Sequence, residues 1–493
     1  MRHRAVADIA IHGFDSFKKR PHNPKGRAVK EKKLEVARCF LFQFATPRIT
    51  GSSIILSIFL GKFALFGDRC TLPPRSSPSY RSLFREIPRI HRHNFKGKRR
   101  FAMSQPLILA ARRTPTGKFQ GSLARIPSPQ LGAFAIEAAL ADVPGAAAKI
   151  DECIMGCVLQ AGVGQNPARQ AGLRAGLPSS LSAVTVNKVC GSGLHAVMMA
   201  AQSIRAGDNH LVVAGGMENM DLAPHLASVR SGVRYGKFEA LDHMEYDGLR
   251  CAFEGWGMGL AAEHIATSHG ISRAEQDRFS AQSHVRAAHA TTQGWFRKEI
   301  VALTAEQIKQ KTGLDVDEGF RAESSAETLA KLKPAFKPDG TVTAANASQI
   351  SDGAAALIVA SEAAAKLLNA KALARILGSN TVGVEPKELF FAPALGIEKI
   401  LKDHSLSVDD IDLFEINEAF AAQVLCNTKY LKISEEKVNV GGGGIAMGHP
   451  IGASGARVLV TLVHHLIRTN GRRGICSLCL GGGNAVTMLI ERV

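Results

Sequence analysis

The chain has 493 residues, 45% apolar and 21% charged, a globular balance that excludes a disordered or fibrous protein and, at roughly 100–200 residues per domain, implies two to four compact units. Its formal net charge of +18 is lopsided: residues 1–102 carry 23 Lys and Arg against 6 Asp and Glu, whereas residues 103–493 carry 38 against 37. The basic total therefore describes the first fifth of the chain and excludes nothing but a nucleic-acid reading of the rest built on charge alone.

Gly is generous at 47 residues while aromatics make up only 6%, which suits an α/β protein with many tight turns. Nine cysteines, an odd number without framework spacing, fit thiols in a reducing compartment. No stretch reaches the ~18–20 apolar residues that span a bilayer.

Residues 1–102 show no sustained helical or strand period. They hold basic clusters such as Lys18-Lys19-Arg20, and their one apolar run, 54–66, is broken by Lys62. Three readings compete: translated sequence upstream of a start at Met103, an Arg- and Ser-rich transit peptide, or a basic tail for an anionic partner. The abrupt onset of a strand pattern at Leu107, just after Met103, favours the first.

From residue 103 short apolar runs alternate with longer amphipathic ones. Strands are expected at 107–111, 152–159 and 211–214, and helices at 130–141 and 194–205. The stretch 220–350 is polar and broken by Gly and Pro, with a helical piece at 273–291, and reads as an inserted lobe. Alternation resumes with strands at 354–360 and 413–416, helices at 396–402, 419–425 and 456–468, and a last strand at 474–480. Such alternation implies α/β layers whose strands are buried on both faces.

A sparse internal echo runs through this pattern. Ser192-Gly193 opens an apolar helix, followed by Gly207, a strand and Gly215-Gly216. Ser454-Gly455 opens another, followed by Gly471, a strand and Gly481-Gly482-Gly483. Each copy has a reactive residue just before its helix, Cys190 in one and His449 in the other. Two similar halves, with helix N-termini converging on one site, would explain the echo; chance likeness of two βα units is the alternative.

Cys190 stands between a strand-like run and a helix start, where the helix dipole and free N–H groups favour thiolate; a buried inert cysteine is the alternative. His449 lies in a loop crowded with Gly and followed by Pro450, fit to hold an imidazole toward a cleft. That loop lacks the Lys-Ser/Thr ending of a phosphate-binding P-loop. Cys476 and Cys479 form a C-x-x-C inside an apolar strand, so a single reactive Cys479 at the strand end is more natural than a redox or zinc pair. Asn417-Glu418 follows another strand, with a helix N-cap by Asn417 as the plain alternative.

With these residues in view, 103–493 resembles the thiolase family along its whole length. The matching segments are Gln165-Asn-Pro-Ala-Arg-Gln170, Asn187-Lys-Val-Cys-Gly-Ser-Gly193, Gly215-Gly-Met-Glu-Asn-Met220, Asn346-Ala-Ser348 with Asp352-Gly-Ala-Ala355, Asn417-Glu-Ala-Phe420, Gly448-His-Pro-Ile-Gly-Ala-Ser-Gly455 and Cys479-Leu-Gly-Gly-Gly483. The likeness is strongest to the acetyl-CoA acetyltransferases of that family.

The resemblance implies a thiolase-like α/β fold: two similar βαβαβαββ halves in α-β-α-β-α layers with an inserted loop domain. The halves would be 103–219 with 351–369, and 370–493, with the loop domain at 220–350. It implies Cys190 as the acylated nucleophile, His449 as its activator, Cys479 as the acid/base that shuttles an α-proton, and Asn417 as the holder of a water beside His449. The backbone N–H groups of Cys190 and Gly481 would form an oxyanion site. Coenzyme A contacts carry over to Arg321 and Ser348, with Met258 and Phe336 near the pantetheine. Acetyl-CoA, acetoacetyl-CoA and CoA are then substrates and products, with no metal and no resident cofactor. A cytoplasmic homodimer or homotetramer is implied, without nucleic acid or membrane, and an organelle only if 1–102 is a transit peptide.

Broad-chain 3-ketoacyl-CoA thiolases are the nearest rivals, but Cys190-Gly-Ser-Gly and His449-Pro-Ile-Gly-Ala favour the short-chain class. Ketoacyl synthases lack the Cys479-Leu-Gly-Gly ending, and a non-catalytic relative would have lost Cys190 or His449. One departure stands out: Gly257 precedes Met258 where acetoacetyl-type relatives often carry His.

Overall fold

The structure, a computed structural model, describes residues 104–493 apart from Ser231. The readings of residues 1–102 and of Met103 as a start fall outside the described residues. In chain order the first half runs β1 (Leu107–Arg113), β2 (Gly117–Lys118), α1 (Ser128–Ala141), β3 (Glu152–Gly156), α2 (Pro167–Arg174), β4 (Ser182–Val186), α3 (Ser192–Ala206) and β5 (Leu211–Glu218). An excursion follows, with hairpin strands β6 (His225–Leu226) and β7 (Leu241–Asp242) and the helices α4 (Met258–Ser268) and α5 (Arg273–Thr292). The chain then forms β8 (Ser351–Ala360), β9 (Ala374–Gly383), α6 (Ala392–Asp403), β10 (Leu413–Ile416), α7 (Ala421–Leu431), α8 (Ile451–Thr469), β11 (Arg473–Leu480) and β12 (Asn484–Arg492).

The main sheet has ten strands in the order β10-β11-β12-β9-β1-β8-β5-β3-β4, with β2 alongside β8. Its middle join is slight: β1 and β9 pair only at Leu107 with Arg375 and Ile108 with Ala374. On either side of that join the order repeats. The run β1-β8-β5-β3-β4 is answered by β9-β12-β11-β10, and the counterpart of β4 is a single parallel bridge between Phe414 and Val438. The parallel pair β3–β5 corresponds to β10–β11, and the antiparallel pair β5–β8 to β11–β12. The echo around Ser192-Gly193 and Ser454-Gly455 is thus a repeat of topology.

The layers follow from the alternation of side chains along each strand. In β8, Ala354, Ala356 and Ile358 pack with Leu131, Phe134 and Ala135 of α1 on one face. Ala355, Leu357 and Val359 pack on the other with Leu194 and Val197 of α3 and Val458 and Leu462 of α8. In β11, Cys476, Leu478 and Leu480 join that same middle core, while Ile475 and Cys479 face Ile397 of α6 and Val424 of α7. The result is α-β-α-β-α, with α3 and α8 shared between the two sheet halves. All residues of β5 and β8 are buried, as two-sided burial of an apolar run requires.

Small residues set the distance between α3 and α8. A Cβ on Gly193 would lie 2.7 Å from the Ala456 nitrogen, and one on Gly455 would strike the Leu194 nitrogen. The backbones therefore cross at their N-terminal turns, which brings the loops ahead of both helices to one place.

The sequence reading ends the fold at β11, and the structure adds β12. The triple glycine is a turn, not a terminus: Gly482 and Gly483 take φ of +85° and +88° and send the chain back antiparallel along β11. Strands β4 and β9 also escape the apolar pattern. β4 is an edge strand with partly exposed side chains, and β9 carries Gly378, Ser379 and Asn380 in its middle.

Candidate active site

Cys190 sits on the loop between β4 and α3, and that loop is held under tension. Val189, a β-branched residue, adopts φ +47°, a conformation that costs energy and persists only when its surroundings enforce it. Ser192 supplies part of the enforcement: its Oγ accepts from the Lys188 N–H at 2.8 Å and donates to the Val189 carbonyl at 2.7 Å. Asn187 Oδ1 accepts from the Val189 N–H at 3.0 Å. A side chain on Gly191 would collide with Leu480, so the loop lies directly against the end of β11.

The expectation of a lowered thiol pKa at Cys190 is not met. The residue as a whole keeps partial exposure, but desolvation around its sulfur dominates and pushes the pKa up to about 12. The nearby backbone N–H groups of Cys190 itself and of Gly481 act against that rise, while the Glu218 charge adds to it. Cys190 at rest is a thiol that needs a base.

His449 is buried between Gly448, whose φ of +110° suits glycine alone, and the first turn of α8. Its ring is oriented by Ser454, whose Oγ stands 2.6 Å from Nδ1 and donates to the Pro450 carbonyl at 2.8 Å. Nδ1 is thereby engaged and Nε2 is the nitrogen left for chemistry. Burial, helped by the Arg457 charge, lowers the imidazole pKa to about 3, so the ring is neutral. The Asn417 amide nitrogen lies against the ring, 3.4 Å from Nε2 and 3.5 Å from Nδ1. Asn417 is not a helix cap: α7 begins after Phe420, without a side-chain cap.

Cys479 ends β11 with 1% exposure. Burial holds its pKa well above the ordinary thiol range, and ionisation of the neighbouring Cys190 would push it further. Cys476 points to the opposite face of the sheet, so the C-x-x-C is no pair. All seven cysteines among the described residues are free thiols. Cys190 and Cys479 are thus neighbours, and the loop that carries the neutral His449 precedes the helix that crosses the one behind Cys190.

Two family models together match nearly all of the described chain. The thiolase N-terminal domain family matches residues 107–363 and the thiolase C-terminal domain family matches residues 370–492. The chain belongs to the thiolase family. An acetyl-CoA acetyltransferase of Pseudomonas aeruginosa is 48% identical over 392 residues, 79% of this chain and 100% of that protein. Another, of Chromobacterium violaceum, is 50% identical over 387 residues, 78% of this chain and 99% of that protein. A probable acetyl-CoA acetyltransferase of Escherichia coli is 45% identical over 391 residues, 79% and 100% of the two chains.

In this thiolase three of the four residues read as coenzyme A contacts come together. Met258 opens α4, and the ring of Phe336 covers Gly259 beside it. Phe336 meets Phe420 edge to face at 6.3 Å. Phe420 bridges to Ala347, and the Ser348 N–H donates to the Ala419 carbonyl at 2.9 Å. Arg321 is anchored separately: its N–H donates to His284 Nδ1 at 3.1 Å and its side chain is exposed. Gln349 ties that segment to the His449 loop, donating from Nε2 to the carbonyls of Gly319, Ile445 and Ala446 and accepting the His449 N–H at its own carbonyl.

Two buried charges of the thiolase site escape a reading of the sequence. Glu218, at the end of β5, accepts from the N–H groups of Val158, Leu159 and Gly452 at 2.9–3.2 Å. It places a carboxylate at the positive end of α8, although burial still raises its pKa to about 7. Its only sequence signal is a lone acid closing an apolar strand. Arg457 lies one turn beyond Ser454, in the midst of an apolar helix, and is 3% exposed. Glu418, beside Asn417, is a structural clamp: it accepts from Ser283 Oγ at 2.6 Å, Asn439 Nδ2 at 2.9 Å and the Ile445 N–H at 3.2 Å.

Proposed function

We propose that this thiolase is an acetyl-CoA C-acetyltransferase, which interconverts two acetyl-CoA with acetoacetyl-CoA and CoA through an acetyl-cysteine. The relatives' names support the reaction. The residue roles are supported by Cys190, flanked by the backbone N–H groups of Cys190 and Gly481, on the loop before one of the two crossing helices, and by a neutral His449 whose Nδ1 is engaged on the loop before the other.

Cleavage starts from the neutral groups. His449 Nε2 takes the Cys190 proton as the sulfur attacks the 3-keto carbon of acetoacetyl-CoA. The oxyanion on that carbon is met by the N–H groups of Cys190 and Gly481. The C–C bond breaks, the acetyl group stays on Cys190, and the enolate of acetyl-CoA departs toward protonated His449 and the Asn417 side. The Cys479 thiol gives its proton to the enolate carbon, and acetyl-CoA leaves. CoA then enters, loses its thiol proton to Cys479, and takes the acetyl group from Cys190. The Cys190 sulfur recovers its proton from His449, so every group returns to its starting state. Condensation is the reverse path. Met258, Phe336 and Ser348 hold the coenzyme A arm, and Arg321 meets its phosphates.

A homo-oligomer belongs to the same proposal. Support comes from the edge strand β4, paired on one side by β3, and from the exposed side chains Val229, Val233, Tyr235 and Phe238. Unpaired thiols support the cytoplasm. No helix among the described residues is long and apolar enough to cross a membrane.

The deciding experiment is thiolysis of acetoacetyl-, 3-ketohexanoyl- and 3-ketodecanoyl-CoA. A steep loss beyond four carbons supports the short-chain acetyltransferase. A flat or rising profile moves the enzyme to the broad-chain class, with Gly257 the first residue to examine.

A further inference from the structure

Behind Asn417 and His449 lies a buried cation that the reaction above does not use. Arg457 projects from α8 three residues after Ser454, on a neighbouring position of the same face. Its Nη2 reaches the Asn417 Oδ1 at 3.5 Å, and its Nη1 stands 3.8 Å from the Glu415 Oε2. Glu415 and Asn417 are two residues apart at the end of β10, so they leave that strand on one face. One planar guanidinium therefore spans a carboxylate and an amide on the same face, a reach that a fork of donors has and a point ammonium lacks.

The chemistry of the amide makes this contact directional. A guanidinium only donates, and of the two ends of an asparagine amide only the oxygen accepts. Arg457 thus holds Oδ1 toward α8 and leaves the NH₂ group to face the His449 ring, at 3.4 Å from Nε2. Turned over, the amide would set NH₂ against the guanidinium. The arrangement is expensive: Arg457 Nε and Nη1 make no hydrogen bond, and Glu415 is itself buried. Buried charges of this kind are often replaceable by apolar residues without loss of stability, so stability alone gives no account of this pair.

We propose that Arg457 is a positioning residue which locks the Asn417 amide with its NH₂ toward His449, while Glu415 keeps the guanidinium in place. The inference rests on the role proposed for Asn417.

The test is a kinetic cycle on the full chain, following kcat and KM for acetoacetyl-CoA thiolysis in Arg457→Met, Asn417→Ala and the double variant. Loss of a preorganised donor costs roughly 10²–10³ in rate, and Asn417→Ala should lose kcat on that scale. Arg457→Met should lose roughly tenfold or more in kcat with KM little changed, and nothing further when added to Asn417→Ala. Arg457→Lys keeps a charge beside Glu415 without the fork, and should remain folded yet slow. If Arg457→Met fails to fold, Glu415→Gln with Arg457→Met removes both ionisable groups and takes its place in the cycle. Equal losses from Arg457→Met in both backgrounds, or full kcat in Arg457→Lys, would overturn the inference alone. Full activity in Asn417→Ala would sink the role of Asn417 itself and the inference with it.

Discussion

Ser454 Oγ stands 2.6 Å from His449 Nδ1 and 2.8 Å from the Pro450 carbonyl oxygen, one helical turn inside α8. The hydroxyl thus orients the ring from the same helix whose start carries it. In the first half Ser192 occupies the matching place and holds the backbone around Cys190 through Lys188 and Val189. Ser454→Ala should lower kcat roughly 10- to 10²-fold, part of what a positioned base contributes, with a smaller change in KM. It should also cost about 1–3 kcal/mol of stability by leaving a buried ring nitrogen unpartnered. Steady-state thiolysis and urea unfolding measure the two effects.

The state of Cys190 can be read by alkylation. With its pKa pushed up to about 12 by burial, the thiolate fraction should grow about tenfold per pH unit through the neutral and mildly alkaline range. Iodoacetamide labelling of the Cys190 peptide should therefore climb without a plateau up to pH 9, and acetyl-CoA should protect it. A plateau near pH 8 would mean that the helix terminus and N–H donors outweigh burial.

Two glycines separate packing from conformational freedom. A side chain on Gly455 would strike the Leu194 nitrogen, whereas one on Gly257 would find its nearest neighbour, the Leu249 carbonyl, at 3.9 Å. Gly257 has φ −74°, an ordinary backbone angle for any L-residue. Gly455→Ala should lose about 1–3 kcal/mol or more by forcing α3 and α8 apart, and Gly257→Ala should stay within about 0.5 kcal/mol of the parent. Denaturant midpoints at constant slope would show this contrast; equal effects would contradict the close crossing.

Acid should weaken the fold through its buried imidazoles. Burial lowers His449 and His465 to about 3 and His284 to about 4, against about 6.5 for an unfolded histidine. Below pH 6.5 the unfolded chain binds protons that the folded chain refuses, so stability falls as the pH drops from about 6.5 toward 4. Glu218, Glu415 and Asp352 act in the opposite sense. Burial raises Glu218 to about 7 and Glu415 to about 8, and burial together with the neighbouring Asp221 raises Asp352, so their contribution is lost as pH climbs from about 4 to 8. His465 has no hydrogen bond on either ring nitrogen and lies against Trp295 and Phe296. His465→Leu should flatten the acid side of a stability–pH curve and leave stability at pH 7 equal or higher; an unchanged acid slope would exclude His465 as a source.

Much of this was legible in the residues. The apolar runs at 107–111 and 354–360 announce β1 and β8 because strands buried on both faces need no alternation. Cys190 and His449 stand out because Gly and Pro surround them, and the two Ser-Gly pairs mark the helix starts that converge. What stayed hidden depends on distant partners. Glu218 finds the Gly452 N–H 234 residues away, and Arg457 reads as a misplaced charge until Glu415 and Asn417 are beside it. The Cys190 shift runs opposite to the local expectation for the same reason: a helix start is a local feature, whereas desolvation depends on distant residues such as Leu480, packed against the loop at Gly191.

The layer formed by α3 and α8 makes the two halves one folding unit despite their repeated topology. Each half supplies one of these helices and borrows the other to close its core. A chain cut between Leu367 and Ala374 would leave each fragment with bare apolar surface, Cys190 on one piece and His449 and Cys479 on the other. Neither fragment alone would have a complete interior or a complete reaction centre, and activity would return only by complementation. The repeated topology should therefore unfold through this shared layer in a single cooperative transition.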